Sequence, residues 1–156
     1  MPIHNAHMEI KEISFTQLFE YQGFDEFCAE YAEESGNADL GHALPNKDFY
    51  MVLESLGKCF CIGAFTGRDL VGFCVLIIQE HTHYSKIVGW CDSIWIGKSH
   101  RKGYAGLKMI RKAQELARDK GAVGVYFSAP EGSRLSMLFE RLFQPKDRVY
   151  WAKSKE

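Results

Sequence analysis

The sequence predicts a single α/β domain in which antiparallel strands lead into one long amphipathic helix. Length is the first observation, because 156 residues fit one domain that buries ~68–70% of the surface its unfolded chain exposes. The second is a series of β-branched and aromatic runs between positions 58 and 96, which turn residues separate. The third is a helical spacing of apolar residues that begins at Tyr104 and ends before Gly121.

The N-terminal part of the chain predicts one strand and two helices. Apolar and polar residues alternate over positions 8–13, which is typical of a short strand. Ser14 starts a helix, because its hydroxyl can accept a hydrogen bond from the Gln17 amide. Gly23 interrupts this helical pattern, and a second helix follows over 24–34.

A loop, a third helix and a hairpin come next. Glycine and proline breakers mark 35–47 as a loop, and 48–56 suits a helix that Gly57 ends. The runs over 58–65 and 70–79 predict two strands, and the turn residues between them indicate a hairpin.

The second strand of this hairpin is expected to lie in the middle of the sheet. Positions 73–78 are almost all apolar, which favours a strand buried on both faces. Another strand follows over 87–96. The strands therefore form a meander that leads into the helix at 104.

The turn before that helix predicts an anion-binding site. Positions 98–103 contain no apolar side chain, so the chain must turn there. The first turn of a helix has backbone N–H groups without internal partners and carries partial positive charge. Gly103, Ala105 and Gly106 keep the side chains small, so a diphosphate can approach the backbone. The alternative is an ordinary strand–turn–helix connection, which spacing alone leaves open. The basic side chains nearby are Lys98, His100, Arg101, Lys102 and Lys108.

Residues 101–106, RKGYAG, resemble the coenzyme A (CoA) pyrophosphate loop of the GCN5-related N-acetyltransferase (GNAT) superfamily. That loop reads Gln or Arg, two variable residues, Gly, one variable residue, then Gly or Ala. Arg101 takes the first position and Gly106 the last, with Tyr104 in place of the middle glycine. A register shifted by one residue places His100 first and Ala105 last. The first register fits the phase of the following helix better, and both stay open.

The resemblance extends over roughly residues 60–154. SIWI at 93–96 is similar to the superfamily's fourth strand, 123–129 to its fifth, and 133–143 to its last helix. The resemblance implies a mixed, mostly antiparallel central sheet with helices on both faces. Positions 129–135 also resemble small members of the superfamily carried by bacteriophages.

The resemblance implies acetyl-CoA as the acetyl donor. The fourth and fifth strands would part, and the pantetheine arm would lie between them along the backbone of Trp95, Ile96 and Gly97. One N–H near Trp95 or Ile96 would polarise the thioester carbonyl. Ser128 and Ser133 could hydrogen-bond the arm or the diphosphate. The diphosphate would contact the backbone of Arg101, Lys102, Gly103, Tyr104, Ala105 and Gly106.

Asp92 is the candidate general base for the amine that attacks the thioester. It lies on the strand over 87–96, where several superfamily members place their base. The alternative is an aspartate that caps the strand or pairs with a lysine. The superfamily's usual tyrosine acid is replaced by Phe139, so Tyr126 or water would protonate the leaving thiolate. Catalysis mainly by positioning the two substrates also fits.

The acceptor side has one further candidate, the acidic face of the second helix. This face is either solvated or forms a wall of the acceptor site that attracts a cationic amine. The sequence leaves a polyamine, an aminoglycoside, a protein lysine and a protein N-terminus open as acceptors. The residues of this acidic face are Glu26, Glu30, Glu33 and Glu34.

Composition argues against several other classes of protein. A net charge of −1 argues against a general nucleic-acid binder. No segment approaches the ~20 apolar residues that span a bilayer, and the first residues lack the order of a signal peptide. We therefore expect a cytoplasmic protein without a membrane partner. Five cysteines without a CxxC pair indicate free thiols rather than disulfides or zinc.

His81 and His83 form the remaining cluster that could carry chemistry. A metal site would need a third ligand, and none is evident, so no metal is predicted. The pair is interpreted as surface histidines, with substrate contact or proton relay as the alternative.

Three functions compete at this point. The first is an acetyl-CoA-dependent N-acetyltransferase, and the second is a CoA-binding member of the same fold without turnover, which Phe139 and Tyr104 favour. The third is a protein-interaction module, in a phage setting, whose phosphate loop is coincidental. Related folds often pair through strands or helices, so a homodimer is one of the open oligomeric states.

Overall fold

The computed structural model describes residues 7–41 and 45–154. Its centre is a five-stranded sheet with the order β1-β2-β3-β4-β5. The first four strands pair antiparallel, and β5 runs parallel to β4. The predicted meander and the mixed, mostly antiparallel sheet are therefore confirmed. The strands are β1 Met8–Ile13, β2 Cys59–Thr66, β3 Asp69–Glu80, β4 Ile87–Ile96 and β5 Val125–Tyr126.

Within the described residues, five helices accompany the sheet, together with short 3-10 turns at Ala38–Leu40 and Lys98–His100. The third helix begins one residue before the predicted 48–56, and part of the predicted loop, 42–44, lies outside the described residues. The fifth strand is much shorter than the predicted 123–129, because its pairing with β4 stops early. The helices are α1 Phe15–Glu20, α2 Phe24–Ser35, α3 Lys47–Ser55, α4 Ala105–Asp119 and α5 Arg134–Leu142.

The first helix starts where its sequence predicts. The Ser14 hydroxyl accepts from the Gln17 backbone N–H at 3.0 Å, and the Gln17 side chain accepts from the Ser14 N–H at 2.8 Å. This reciprocal capping box satisfies two backbone donors at the helix start. Gly23 separates α1 from α2 with a φ of 97°, a conformation that glycine adopts without strain.

The two faces of the sheet bury separate clusters of apolar side chains. On one face α4 packs Met109 and Ala113 toward the sheet, and both are fully buried. On the other face α1 and α2 contribute Phe15 and Phe24. Helices thus cover both faces, as the resemblance implies. The strand β3 lies between the two clusters, and its stretch 70–76 is buried throughout, which confirms its predicted central place.

A β-bulge interrupts the pairing of β3 with β4. The register passes from Val75↔Ser93 to Leu76↔Cys91, so Asp92 is the extra residue on β4. A bulge bends the strand and redirects a side chain. It turns Asp92 toward α3, where its carboxylate meets Tyr50.

All five cysteines are free and buried. The hydrogen bond with Cys59 and burial raise the pKa of the Cys61 thiol well above its usual range. The hydrogen bond with Cys91 and burial do the same for the pKa of Cys74. These thiols therefore stay neutral and act as small apolar residues, in agreement with the sequence interpretation.

No helix within residues 7–41 and 45–154 combines the length and the apolar character needed to cross a membrane.

A substitution at Gly72 on β3 tests how closely the backbones of β3 and β4 are packed. A Cβ at this position would lie 2.8 Å from the Trp95 carbonyl oxygen and 3.2 Å from the Ile96 Cα. Gly72→Ala is expected to lower the free energy of unfolding by about 1–3 kcal/mol, because backbone must shift to make room. Urea denaturation measures this change.

Gly124→Ala is the matched control, since no atom lies within 4 Å of its added Cβ. Equal stabilities of the two variants would contradict the packing described for β3 and β4.

Candidate active site

The strands β4 and β5 part soon after they meet. They pair only at Gly89↔Val125 and Trp90↔Tyr126, while β4 continues to Ile96. Beyond Trp90 the edge of β4 that faces away from β3 has no strand beside it among the described residues. We call the region beside this unpaired edge, from Trp90 toward the C-terminal end of β4, the cleft.

Ile94 and Ile96 present the backbone groups of this open edge. Gly97 donates its N–H to the Val71 carbonyl of β3 at 2.8 Å. Residues of an antiparallel ladder alternate in direction, so Trp95 also faces β3 while Ile94 and Ile96 face the cleft. Arg101 Nε donates a hydrogen bond to the Ile96 carbonyl oxygen at 2.6 Å. The Ile96 N–H remains available on the cleft side.

The N-terminus of α4 lies just after this edge in the chain and is not capped by a side chain. The backbone N–H groups of Ala105, Gly106 and Leu107 have no acceptor among the described residues. Gly103 precedes them with a φ of 83°, and a Cβ added at Gly103 or Gly106 would meet no atom within 4 Å. This corner is therefore open to a ligand, and its free N–H groups favour an anion.

Charge at this corner comes from lysines more than from Arg101. Lys98, Lys102 and Lys108 are exposed around the turn and the first helical turn. Arg101 instead places Nη2 2.8 Å from Glu34 Oε1 on α2, in addition to its bond with Ile96. Arg101 therefore ties the end of β4 to the end of α2. Of the acidic face predicted on α2, Glu34 forms this ion pair, and the other three glutamates are exposed.

Asp92 lies at the bulge, just past the last β4–β5 pair. The Tyr50 hydroxyl donates to Asp92 Oδ2 at 2.5 Å. Burial, and next the hydrogen bond with Asp92, raise the pKa of Tyr50 well above its usual range. Burial, and next the charge of Asp92, raise the pKa of Tyr31 to about 12. The carboxylate therefore lies beside two phenols that remain protonated at neutral pH.

Tyr50 is a site residue that the sequence does not reveal. The helix that carries it is predicted, but its partner lies 42 positions away in the chain. Only the bulge at Asp92 brings the two together, and a bulge leaves no clear mark in the apolar pattern of β4.

Other predicted site residues have packing or capping roles in the structure. The Ser133 hydroxyl caps α5 by accepting from the Ser136 N–H at 3.1 Å, and Ser128 is exposed. Tyr126 stacks on Trp90 with ring centroids 5.8 Å apart, at the closed end of the cleft. Phe139 packs against Phe127, with centroids 5.2 Å apart, and so holds α5 beside the chain that follows β5.

Trp95 contributes to the core on the α1–α2 face. Its ring lies 4.9 Å from that of Phe27 and 5.8 Å from that of Phe73, measured between centroids. Its indole Nε1 is buried and has no hydrogen-bond partner in the part of the chain that the structure describes. The backbone groups of Gly97 are both engaged, since its carbonyl accepts from the His100 N–H.

The two histidines after β3 form a local turn. The His83 N–H donates to His81 Nδ1 at 3.1 Å, and the His81 ring stacks on Trp90 with centroids 5.9 Å apart. Within the described ranges, no group of three His, Cys, Asp or Glu side chains is placed to hold a metal ion.

Comparisons with solved structures find the same fold in several acetyltransferases. One is an aminoglycoside acetyltransferase from an uncultured soil metagenomic sample, with a TM-score of 0.72, 14% identity, and coverage of 96% of this chain and 99% of that chain. Another is aminoglycoside N-acetyltransferase AAC(6')-Iy in complex with CoA, with a TM-score of 0.71, 18% identity and 99% coverage of both chains. A third is a ribosomal-protein-alanine N-acetyltransferase from Brucella melitensis biovar Abortus 2308, with a TM-score of 0.70, 18% identity, and coverage of 96% and 100%.

Sequence comparison supplies the family. No curated protein sequence matches the chain significantly. The family model described as the acetyltransferase (GNAT) family matches residues 16–136. This match spans most of the chain and includes the cleft, the bulge and the N-terminus of α4. The chain therefore belongs to the acetyltransferase (GNAT) family.

Proposed function

We propose that this protein transfers the acetyl group of acetyl-CoA to an amine. The observation that carries the proposal is the parting of β4 and β5 beside the uncapped N-terminus of α4. An extended thioester arm fits the open edge of a strand, and a diphosphate fits free backbone N–H groups at a helix start. These two features follow one another along the chain, as the two halves of CoA require.

The cofactor would lie across these two features. Its pantetheine arm would hydrogen-bond the backbone of Ile94, and its diphosphate would accept from the amides at the start of α4. Lys102, Gly103 and Tyr104 would line the diphosphate, with the small Ala105 and Gly106 allowing close approach. The Arg101 side chain would shape the loop through Glu34 and Ile96, while its backbone stays near the phosphates. Ser128 and Ser133 would stand on the opposite side, near the arm.

The reaction would form a C–N bond and break a C–S bond. The amine nitrogen attacks the thioester carbonyl carbon, and the Ile96 N–H stabilises the negative charge that develops on the oxygen. Asp92 takes the proton that the amine must lose. The thiolate of CoA leaves and is protonated by water or by Tyr126.

The proposed acceptor is an amine that arrives as a cationic ammonium group and then loses a proton. Asp92 is exposed and forms no ion pair with a described lysine, arginine or histidine, so its charge is available to attract an ammonium group. The related structures include enzymes named for aminoglycosides and for a ribosomal-protein alanine. Both are amine acceptors, and the choice between a small molecule and a protein stays a prediction. So do a cytoplasmic location, a homodimer and a relation to bacteriophage members.

A second candidate is a protein that binds CoA with little or no turnover. Phe139 stands where the superfamily often has a tyrosine, and its ring is packed among Phe127 and Phe143. It has no proton to give to the thiolate. Turnover with a panel of amines separates this candidate from the enzyme, once CoA binding is measured.

Gly106→Asp tests the proposed phosphate site. The added carboxylate is expected to weaken CoA binding at least about tenfold, because it repels the diphosphate at close range. Protein stability should not fall, since an acidic residue is favourable in the first turn of a helix. Isothermal titration calorimetry measures the affinity.

Gly124→Asp is the control for this variant, because it makes the same change of charge where an added Cβ also meets no atom within 4 Å. Its affinity for CoA should stay within about twofold of wild type. Equal loss in both variants would mean that net charge, not the helix start, governs binding.

Asp92→Asn tests the proposed base. The turnover number is expected to fall about 100-fold, the usual contribution of a positioned general base, while CoA affinity is unchanged. The loss of thioester absorbance measures turnover with acetyl-CoA and spermidine, kanamycin, a lysine peptide or a peptide with a free N-terminal alanine. Wild-type turnover that survives in the variant would remove Asp92 from the mechanism.

A further inference from the structure

We propose that Tyr50 is a positioning residue that holds the Asp92 carboxylate in place to take the proton of the acceptor amine. The inference rests on the proposed function and adds to it a residue from α3. Its basis is the 2.5 Å hydrogen bond from the Tyr50 hydroxyl to Asp92 Oδ2.

Asp92 needs such a partner because of where the backbone places it. It is the extra residue of the bulge, opposite no single residue of β3. Regular ladder pairing therefore does not fix its orientation. No lysine, arginine or histidine among the described residues forms an ion pair with it. Within the described chain, the phenol of Tyr50 is the group that donates a side-chain hydrogen bond to this carboxylate.

Tyr50 itself is held firmly. Its ring stacks on Phe15 with centroids 4.8 Å apart and planes 21° from parallel. Phe15 is buried, and its backbone N–H donates to Glu54, one turn along α3 from Tyr50, at 2.5 Å. The start of α3 is capped by Asn46, which accepts from the Phe49 N–H. The hydroxyl therefore reaches the bulge from a rigid support, which is what a positioning group requires.

None of the other titratable groups described around Tyr50 and Asp92 donates a hydrogen bond to the Asp92 carboxylate. Burial first, and then Asp92, hold the pKa of Tyr31 at about 12, so it is a neutral neighbour. Glu54 is already engaged by Phe15, and the nearby thiols with raised pKa values are neutral. The groups that face the pair are Tyr31 on α2, Glu54 on α3, Cys59 and Cys61 on β2, Cys74 on β3 and Cys91 on β4.

In this arrangement the two carboxylate oxygens of Asp92 have different roles. Oδ2 accepts from Tyr50, and Oδ1 remains for the proton of the amine. Burial and the bond to Asp92 raise the pKa of Tyr50, so the phenol stays protonated and keeps donating. Tyr50 thus orients the base without exchanging a proton with substrate.

A double-mutant cycle tests the inference with wild type, Tyr50→Phe, Asp92→Asn and the double variant. Tyr50→Phe keeps the ring that packs on Phe15 and removes only the hydroxyl. We expect its turnover number to fall about tenfold with KM for acetyl-CoA unchanged, because only the orientation of the base is lost. Adding Tyr50→Phe to Asp92→Asn should then cause no further loss.

The split between kcat and KM gives a readout that a merely structural role would not move. Loss of the Tyr50 hydroxyl should lower kcat alone, because the phenol orients the base and does not bind acetyl-CoA. Tyr31→Phe is the matched control, since it removes the other phenol beside Asp92 but no hydrogen bond to it. Its kcat should coincide with that of wild type.

The same four proteins are also unfolded in urea. The unfolding constants should show a coupling of about tenfold between positions 50 and 92, as for a hydrogen bond to a charged group. If wild type turns over but the kinetic losses add, or Tyr31→Phe loses as much turnover as Tyr50→Phe, the positioning role is wrong and the proposed function stands. If no amine is acetylated, the proposed function fails together with the role, and the unfolding cycle still decides whether the Tyr50–Asp92 bond exists.

Discussion

The pairing between β4 and β5 stops after Trp90↔Tyr126, and the candidate site depends on this early stop. Each strand edge carries N–H and C=O groups that must be paired with protein, water or ligand. Over its last residues the outer edge of β4 pairs with no other described strand, so the outward backbone groups of Ile94 and the Ile96 N–H are available to another extended molecule. The bulge at Asp92 falls at the start of this unpaired stretch, so that a carboxylate stands near the closed end of the same cleft.

The surrounding elements hold this opening in shape. On the α4 face, apolar side chains of the helix pack on the sheet and fix where the helix begins, at Ala105. On the other face, Arg101 links the end of β4 to Glu34 on α2, and Tyr50 links α3 to the bulge. The ion pair and the hydrogen bond each join elements that are distant in the chain. The energy of the ion pair is modest, because the Glu34 and Arg101 side chains are 32% and 39% exposed. The main consequence of both interactions is geometric.

Much of the fold follows from local patterns in the sequence. The capping box at Ser14, the apolar stretch of β3 and the spacing along α4 each act within one element, so the strands, helices and meander could be predicted. The length of β5 could not, because its residues favour a strand, whereas pairing with β4 decides where the strand ends. The open turn before α4 could also be predicted, from its glycines. The contact of Tyr50 with Asp92, the engagement of Arg101 by Glu34 and the direction of Trp95 toward β3 arise from tertiary packing and leave no local signal.

The central claim is that the open edge of β4 and the start of α4 together bind one CoA molecule. Backbone amide chemical shifts of the 15N-labelled protein, followed during titration with CoA, test it most directly. The account predicts shifts concentrated at Ile96 and at the amides of Ala105, Gly106 and Leu107, with little change along β1 and β2. Saturating CoA that leaves these amides unmoved, or that moves a separate surface instead, would contradict it.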